Sequence, residues 1–257
     1  KVMGAFFRIP LGRIIGSEGI GYYQAGYTVF NLLLAFTASG FPTAISKLVS
    51  EKRAKSDYQG AHKVFKTSFY LLLALGAAGS VILALLTSFL VKDVFGSPNA
   101  YFAVLALSPA VFFVAVLASF RGYFQGMKDM TPTAISQVVE QAARVLFGLS
   151  LAIVLLRRFD ITYGAAGASF GAAIGAAFAL GMMFIIYHKR KNKILPNEGQ
   201  VIVGIEETPK QIIKNLLRIS IPIAIGAAVM PLINMVDTVV VMRRLQNIGF
   251  SIQESTS

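Results

Sequence analysis

The sequence contains no cysteine, no tryptophan and only two histidines in 257 residues. The absence of cysteine excludes disulfides, thiol catalysis and cysteine-ligated metal sites. His62 and His188 lie far apart in basic segments, so we expect no metal site. Hydrolase, kinase and phosphate-loop motifs are also missing, and the segments between the middle apolar runs are too short for an enzyme domain. We therefore expect no catalytic residue and no cofactor.

Charge is scarce as well. Charged residues make up 14% of the chain, against about 25% in a soluble domain, while 55% of the residues are hydrophobic. A run of about 18 or more apolar residues can cross a bilayer as a helix. Four longer runs contain no Asp, Glu, Lys or Arg: Gly19–Ser46, Thr67–Val91, Val94–Phe120 and Ile161–Tyr187. The sequence therefore predicts an all-α, polytopic transmembrane helical bundle.

The apolar runs predict six full spans and one partial span at the start. Lys1–Ile15 is too short to cross a bilayer, so we expect the first helix to begin upstream of this sequence. Proline favours a kink at Pro10, and glycines predict a turn at Gly16–Gly19 and a bend at Gly40–Pro42. The six full spans are Tyr22–Ser46, Thr67–Val91, Ala100–Phe120, Thr133–Leu156, Ala165–Tyr187 and Ile219–Met242.

The net charge of +12 is carried mainly by the loops, which points to membrane topology rather than to nucleic acid binding. Three alternate loops, Lys47–Lys66, Arg121–Met130 and His188–Arg218, together hold 15 lysines and arginines, and the opposite side holds five. The positive-inside rule places the basic side, and with it the N-terminus, in the cytoplasm. Anionic membrane lipids are the expected partners of these loops.

The fifth span carries an unusual polar face. Gln137, Glu140, Gln141 and Arg144 follow the spacing of one helix face, so they should avoid lipid and point to a protein interior or a wet cavity. Glu140 and Arg144 are four residues apart and predict an intramembrane ion pair. Two interpretations stay open at this point: a structural pair that fixes helix packing, or residues that line a path for a substrate or ion.

Polar residues also occur in the first, second and seventh spans. Arg8 is deep enough to bind a phosphate or carboxylate, while Arg13, near the helix end, could equally reach the headgroups. Gln24 and Asn31 share one side of the second span with Tyr27, and they suit interhelical hydrogen bonds or a substrate contact. Asn234 and Asp237 follow Pro231 by one turn and predict either a cation site or interhelical bonds.

The sixth span has a ridge of small residues at every fourth position: Gly167, Gly171, Gly175 and Ala179. Such a ridge lets a second backbone approach closely. We interpret it as a packing surface.

Several stretches resemble a known family. FFRIPLGRIIGSEGIGYYQAGY, GFPTAISKLVSE and RGYFQGMKDMTPTAISQVVEQAARV resemble the polysaccharide-transport branch of the multidrug/oligosaccharidyl-lipid/polysaccharide flippase superfamily. IPIAIGAAVMPLINMVDTVVVMRRL resembles the seventh helix of the stage V sporulation protein B and Gram-positive lipid II flippase group. The likeness extends over nearly the whole chain, and its middle motif is the most specific.

The resemblance implies two six-helix lobes, of which this chain holds the first and the opening helix of the second. We therefore divide it into a first lobe (residues 1–187), a basic cytoplasmic linker (188–218) and a seventh helix with its tail (219–257). The family's cationic cavity is lined by helices one, two, seven and eight. Arg8 and Arg13 match its first-helix pattern. Glu140 and Arg144 lie on the fifth span, away from that cavity, so the resemblance implies an ion pair that locks the helices of the first lobe together. Arg121–Met130 would then be the cytoplasmic hinge of this lobe. Without helix eight, this piece alone should not transport.

The function implied by the resemblance is the flipping of undecaprenyl-pyrophosphate-linked sugars, such as lipid II or a polysaccharide precursor, across a bacterial cytoplasmic membrane by alternating access. A coupling cation is a further possible partner. Two alternatives stay open: a cation-coupled multidrug exporter of the same superfamily, and a non-transporting scaffold for cell-wall or spore-coat assembly that recruits enzymes through its basic loops.

Overall fold

The computed structural model describes residues 2–194 and 207–247, and every regular element within these ranges is helical. Two π-helical turns, Ala35–Gly40 and Leu90–Val94, and a 3₁₀ turn, Pro98–Ala100, connect some of the helices. The α-helices are α1 (Val2–Leu34), α2 (Phe41–Ala54), α3 (Tyr58–Phe89), α4 (Tyr101–Leu105), α5 (Ser108–Gly126), α6 (Thr131–Arg158), α7 (Ile161–Ile194) and α8 (Pro209–Asn247).

Five helical segments in the described residues are long and apolar enough to cross a membrane. They correspond to predicted spans three to seven, and they confirm an all-helical membrane protein. The segments are Tyr58–Val94, Pro98–Gly126, Thr131–Arg158, Ile161–Arg190 and Pro209–Val240.

The first helix is broken at one residue. Gly16 has φ of 68° and ψ of −176°, a backbone conformation that favours glycine, and the chain is helical again directly after it. The expected turn over Gly16–Gly19 is therefore a break at Gly16 alone. The π-helical turn Ala35–Gly40 then interrupts the helix just before Pro42, which lies in the first turn of α2. This interruption corresponds to the bend predicted at Gly40–Pro42.

Two predicted boundaries differ from the structure. Helix α5 continues to Gly126, so Arg121 is helical and the turn predicted over Arg121–Met130 is confined to its last four residues. Gly122 and Gly126 pack against α2, where added Cβ atoms would lie 2.7 and 2.6 Å from Cβ of Ile45 and Val49. Close helix packing therefore overrides the weak helix propensity of glycine.

The predicted linker is partly helical. Helix α7 continues to Ile194, and α8 begins at Pro209, so both ends of the 188–218 segment belong to long helices. Thr208 and Gln211 form a capping box at the start of α8, because Gln211 Oε1 accepts from Thr208 N at 2.8 Å. Residues 195–206 in the linker and 248–257 in the tail lie outside the described residues.

The predicted small-residue ridge on α7 lies against α6 and is confirmed as a packing surface. A Cβ atom added to Gly171 would lie 2.5 Å from Cα of Gly148, and one added to Gly175 would lie 2.5 Å from the carbonyl oxygen of Glu140. Real Cβ atoms do not approach backbone atoms so closely, so the short distance between α6 and α7 is possible only with glycine at these positions.

Contacts at the two ends of the bundle group the loops as the charge pattern predicts. At one end, Lys52 pairs with Glu207 at 3.1 Å and Arg190 pairs with Asp129, so the described parts of the three basic segments lie together. At the other end, Asn99 donates to the Tyr22 hydroxyl at 3.0 Å, and the rings of Phe102 and Tyr163 stack. The basic segments therefore share one end of the bundle.

We expect Gly171→Ala to destabilise the full-length protein by about 1–3 kcal/mol, because the added methyl group would force α6 and α7 apart. Gly181→Ala is the matched control, since an added Cβ there has no atom within 4 Å. Thermal unfolding in detergent would measure both variants. Equal melting temperatures for the two would contradict the packing role of the ridge.

Candidate functional site

A cavity of about 680 Å³ lies between α1, the Ala35–Gly40 turn and α8. Its lining is mostly polar or small, in contrast to the apolar surface of the surrounding spans. The lining residues are Arg8, Gln24, Tyr27, Thr28, Asn31, Leu34, Ala35, Ser39, Ala227, Met230, Pro231, Asn234, Asp237 and Thr238.

Two backbone features bring these walls together. The break at Gly16 separates the part of α1 that carries Arg8 from the part that carries Gln24 and Asn31. At Gly40, the last residue of the π-helical turn, an added Cβ would lie 2.7 Å from the Ser220 carbonyl oxygen of α8. Glycine at this position lets α8 pack directly on the turn and form one side of the cavity.

Five of the six substrate or ion residues predicted from sequence line this single cavity. Arg8 and the Gln24–Asn31 pair come from the two parts of α1, and Asn234 and Asp237 come from α8. Arg13 is exposed and is not among the lining residues.

The cavity carries one cationic and one anionic side chain, Arg8 and Asp237, and both are exposed. Its remaining polar groups are amides and hydroxyls. Pro231 has no N–H, so the Ala227 carbonyl, one turn earlier on the same wall, lacks its usual helical donor. The arrangement offers a guanidinium to an anion, and a carboxylate, an amide and a carbonyl to a cation. The described residues contain no cluster of three or more His, Cys, Asp or Glu side chains.

Several lining residues were not among the predicted site residues. Tyr27 shares the polar side of α1 with Gln24 and Asn31, so its spacing could have identified it. Ser39 lies in the π-helical turn, and Thr238 follows Asp237 directly. A π-helical turn changes which side chains face a cavity, and a regular helical spacing does not reveal it.

A buried ionic network lies behind the α1 wall of the cavity. Glu140 Oε1 lies 3.2 Å from Arg144 Nη2, the geometry of an ion pair within one helix face. The other carboxylate oxygen of Glu140 lies 2.8 Å from Arg121 Nη2 on α5. Arg121 also donates through Nε to the Ser136 hydroxyl at 3.1 Å. One carboxylate therefore joins two arginines from two helices.

The network reaches the cavity through one side chain. Arg144 Nη1 donates to the Tyr27 hydroxyl at 3.0 Å, which links α6 to α1. Glu140 and Arg144 are each 7% exposed, as expected for charges kept away from lipid. Gln137, predicted to share their environment, is exposed. The buried face of α6 therefore runs through Ser136 rather than Gln137.

Arg121 is the residue of this network that sequence reasoning missed. It follows an uncharged run, so the sequence placed it in the turn between two spans. Only the packing of α5 against α6 shows that its guanidinium reaches Glu140. The network thus holds two helices of the bundle together and orients a third.

Comparisons with known proteins agree with this architecture. The sequence profile of the family described as "Polysaccharide biosynthesis protein" matches residues 1–249. "Lipid II flippase MurJ" of Bacillus subtilis is 30% identical over 93% of this chain and 46% of its own length. "Stage V sporulation protein B" of the same organism is 29% identical over 86% of this chain and 42% of its own length. The chain spans about half the length of these curated relatives.

Solved structures show the same fold. An inward-facing multidrug resistance MATE family transporter of the MOP superfamily superposes with a TM-score of 0.74 at 16% identity, over 96% of this chain and 53% of that one. A MOP superfamily transporter from Pyrococcus furiosus gives a TM-score of 0.72 at 16% identity, over 96% and 56% of the two chains.

We expect Glu140→Gln to destabilise the full-length protein by about 3–5 kcal/mol, because it leaves two buried arginines without a carboxylate. Arg144→Gln should cost less, since Glu140 would keep Arg121. Thermal unfolding would measure the order, with the exposed Glu51→Gln as the matched control. A larger loss in Arg144→Gln than in Glu140→Gln would contradict the shared carboxylate.

Proposed function

Because the chain belongs to the polysaccharide biosynthesis protein family and has the fold of MOP superfamily transporters, we propose that it forms the first half of a flippase for lipid-linked oligosaccharide pyrophosphates. The observation that carries this proposal is the convergence of polar residues from two parts of α1 and from α8 on one cavity of about 680 Å³ within the helical bundle. A cavity of this kind suits a polar headgroup, while the lipid tail stays in the bilayer.

Arg8 is the proposed pyrophosphate contact. It is the cationic side chain among the lining residues, and a guanidinium can donate two parallel hydrogen bonds to phosphate oxygens. In this proposal α1 and the Ala35–Gly40 turn belong to the first lobe and α8 opens the second, and both line this cavity. Rocking of the two lobes would open the cavity to one side of the membrane and then to the other.

Asp237 and Asn234 are the proposed coupling residues. They lie one turn apart on α8, beyond Pro231 on the same cavity wall. A cation held there would change the charge of the cavity and thereby the affinity for an anionic headgroup. Membrane potential is the other available driving force, at about 2.3 kcal/mol per charge per 100 mV.

We place the end of the bundle that carries the basic segments on the cytoplasmic side of a bacterial plasma membrane, with the N-terminus on the same side. Anionic lipids would contact these segments. Lys55, exposed beside this end, should then react with a membrane-impermeant amine reagent only in permeabilised cells.

We expect Arg8→Ala to abolish flipping of lipid II by the full-length protein in reconstituted vesicles, because the cavity loses its guanidinium. Arg13→Ala is the matched control and should flip normally, since Arg13 does not line the cavity. Retained flipping in Arg8→Ala would refute the assigned role. Export of cationic drugs without lipid II flipping would favour the multidrug exporter, and normal cell-wall synthesis without any transport would favour the scaffold.

We expect Asp237→Asn to remove the dependence of flipping on an imposed cation gradient while binding of the headgroup persists. The conservative change keeps the side-chain volume and removes only the negative charge. Asp160→Asn, which alters an exposed carboxylate outside the cavity, is the control. Unchanged gradient dependence in Asp237→Asn would exclude this residue from coupling.

A further inference from the structure

Tyr27 joins the buried ionic network to the cavity. Its hydroxyl oxygen accepts from Arg144 Nη1 at 3.0 Å, and the same side chain lines the cavity wall. The ring lies between two aromatic neighbours, with centroids 5.4 Å from Tyr23 and 5.9 Å from Phe30. Stacking and the hydrogen bond together fix the position of the hydroxyl group.

The Tyr27 hydroxyl group has a hydrogen that it does not donate to any described residue. A tyrosine hydroxyl can donate one hydrogen bond and accept others. Arg144 has no acceptor atom, so the bond between the two uses the tyrosine oxygen as the acceptor and leaves its hydrogen available. No acceptor for this hydrogen is found among the described residues, and the side chain borders open space. The hydrogen is therefore available to a ligand in the cavity.

The charge behind the wall favours an anionic ligand. Arg121 and Arg144 both pair with Glu140, and no other carboxylate among the described residues pairs with either of them. The three side chains therefore carry a net charge of +1. Their side chains are only 9–13% exposed, so solvent compensates this charge poorly. Arg144 Nε is in addition buried without a hydrogen-bond partner. An uncompensated buried charge is costly, and an anion in the adjoining cavity would offset it.

We infer that Tyr27 is a second contact for the anionic headgroup, donating its hydroxyl hydrogen to a phosphate oxygen, and that Arg144 is a positioning residue acting through Tyr27. This inference rests on the proposed function and names the partner of Arg8 in the same cavity. Arg8 lies next to Phe7, whose ring contacts Tyr23, which in turn stacks on Tyr27. Arg8 and Tyr27 line the same cavity, so both donors are open to one anionic headgroup.

The test is a binding measurement on the full-length protein in detergent, with geranyl pyrophosphate as a soluble probe. Tyr27→Phe keeps the ring and removes only the hydroxyl group. Arg144 Nη1 then loses its partner, so we expect a lower melting temperature, and binding is measured at a temperature where the variant remains folded. Its affinity should fall about 10- to 100-fold, the usual effect of losing a hydrogen bond to a charged group. Tyr23→Phe is the matched control, because that buried hydroxyl lies one turn away and does not line the cavity.

A double-mutant cycle separates positioning from a purely structural effect. Arg144→Gln should weaken probe binding in the wild-type background, with Arg144→Lys, which retains the charge, partly restoring it. In the Tyr27→Phe background, Arg144→Gln should cause a smaller further loss, because only the longer-range effect of its charge on the ligand remains. Full additivity of the two losses would overturn the positioning role.

The outcomes distinguish this inference from the proposed function. If Arg8→Ala loses probe binding and Tyr27→Phe binds like the wild type, Tyr27 is not a contact and the proposed function stands. If the wild-type protein shows no saturable binding of the probe, the proposed function and this inference both fail. Loss of affinity in a Tyr27→Phe variant that is folded at the assay temperature, with normal binding by Tyr23→Phe, supports the second contact.

Discussion

The structure depends on the requirement that a charge inside a membrane protein find its partners within the protein. Glu140 meets this requirement for two arginines at once, one on α5 and one on its own helix. Because Glu140 and both arginines are largely buried, solvent does not readily replace either contact, and the relative position of the helices follows from the geometry of one carboxylate. The hydrogen bond from Arg144 to Tyr27 then extends the same constraint to α1, which forms a wall of the cavity.

Close approach of helix backbones is the second constraint, and it occurs at glycines, which have no side chain. The glycines of α7 bring that helix onto α6, and Gly40 brings α8 onto the π-helical turn after α1. In a bilayer, helix association gains little from the hydrophobic effect, so short distances and many dispersion contacts have to supply the attraction. A glycine contact therefore sets the position of α8 on one side of the cavity, and the ionic network sets the position of α1 on the other.

Much of this arrangement was predictable because each feature has a local signature. Uncharged runs predicted the spans, the four-residue repeat of small residues predicted the α6–α7 contact, and the spacing of Glu140 and Arg144 placed both on one face. Arg121 was missed because its partner is 19 residues away on another helix, and glycines beside it imitate a turn. Ser39 was missed as a cavity residue because the π-helical turn changes the helix register in a way that residue spacing does not encode. The spacing of Tyr27 did place it on the same side as Gln24 and Asn31, although it was not among the predicted site residues.

The outer surface of the bundle has a consequence for the energetics of the protein. Large apolar side chains such as Leu85, Leu146 and Tyr70 are 76%, 66% and 66% exposed, and they lie on predicted spans or next to them. In the membrane, acyl chains cover these groups, so the lipid annulus takes the part that a second layer of helices takes in a large soluble protein. The free energy of folding then depends on the chain and on the lipids around it. A change of bilayer thickness or of detergent therefore changes this free energy, as a mutation of the lipid-facing surface does.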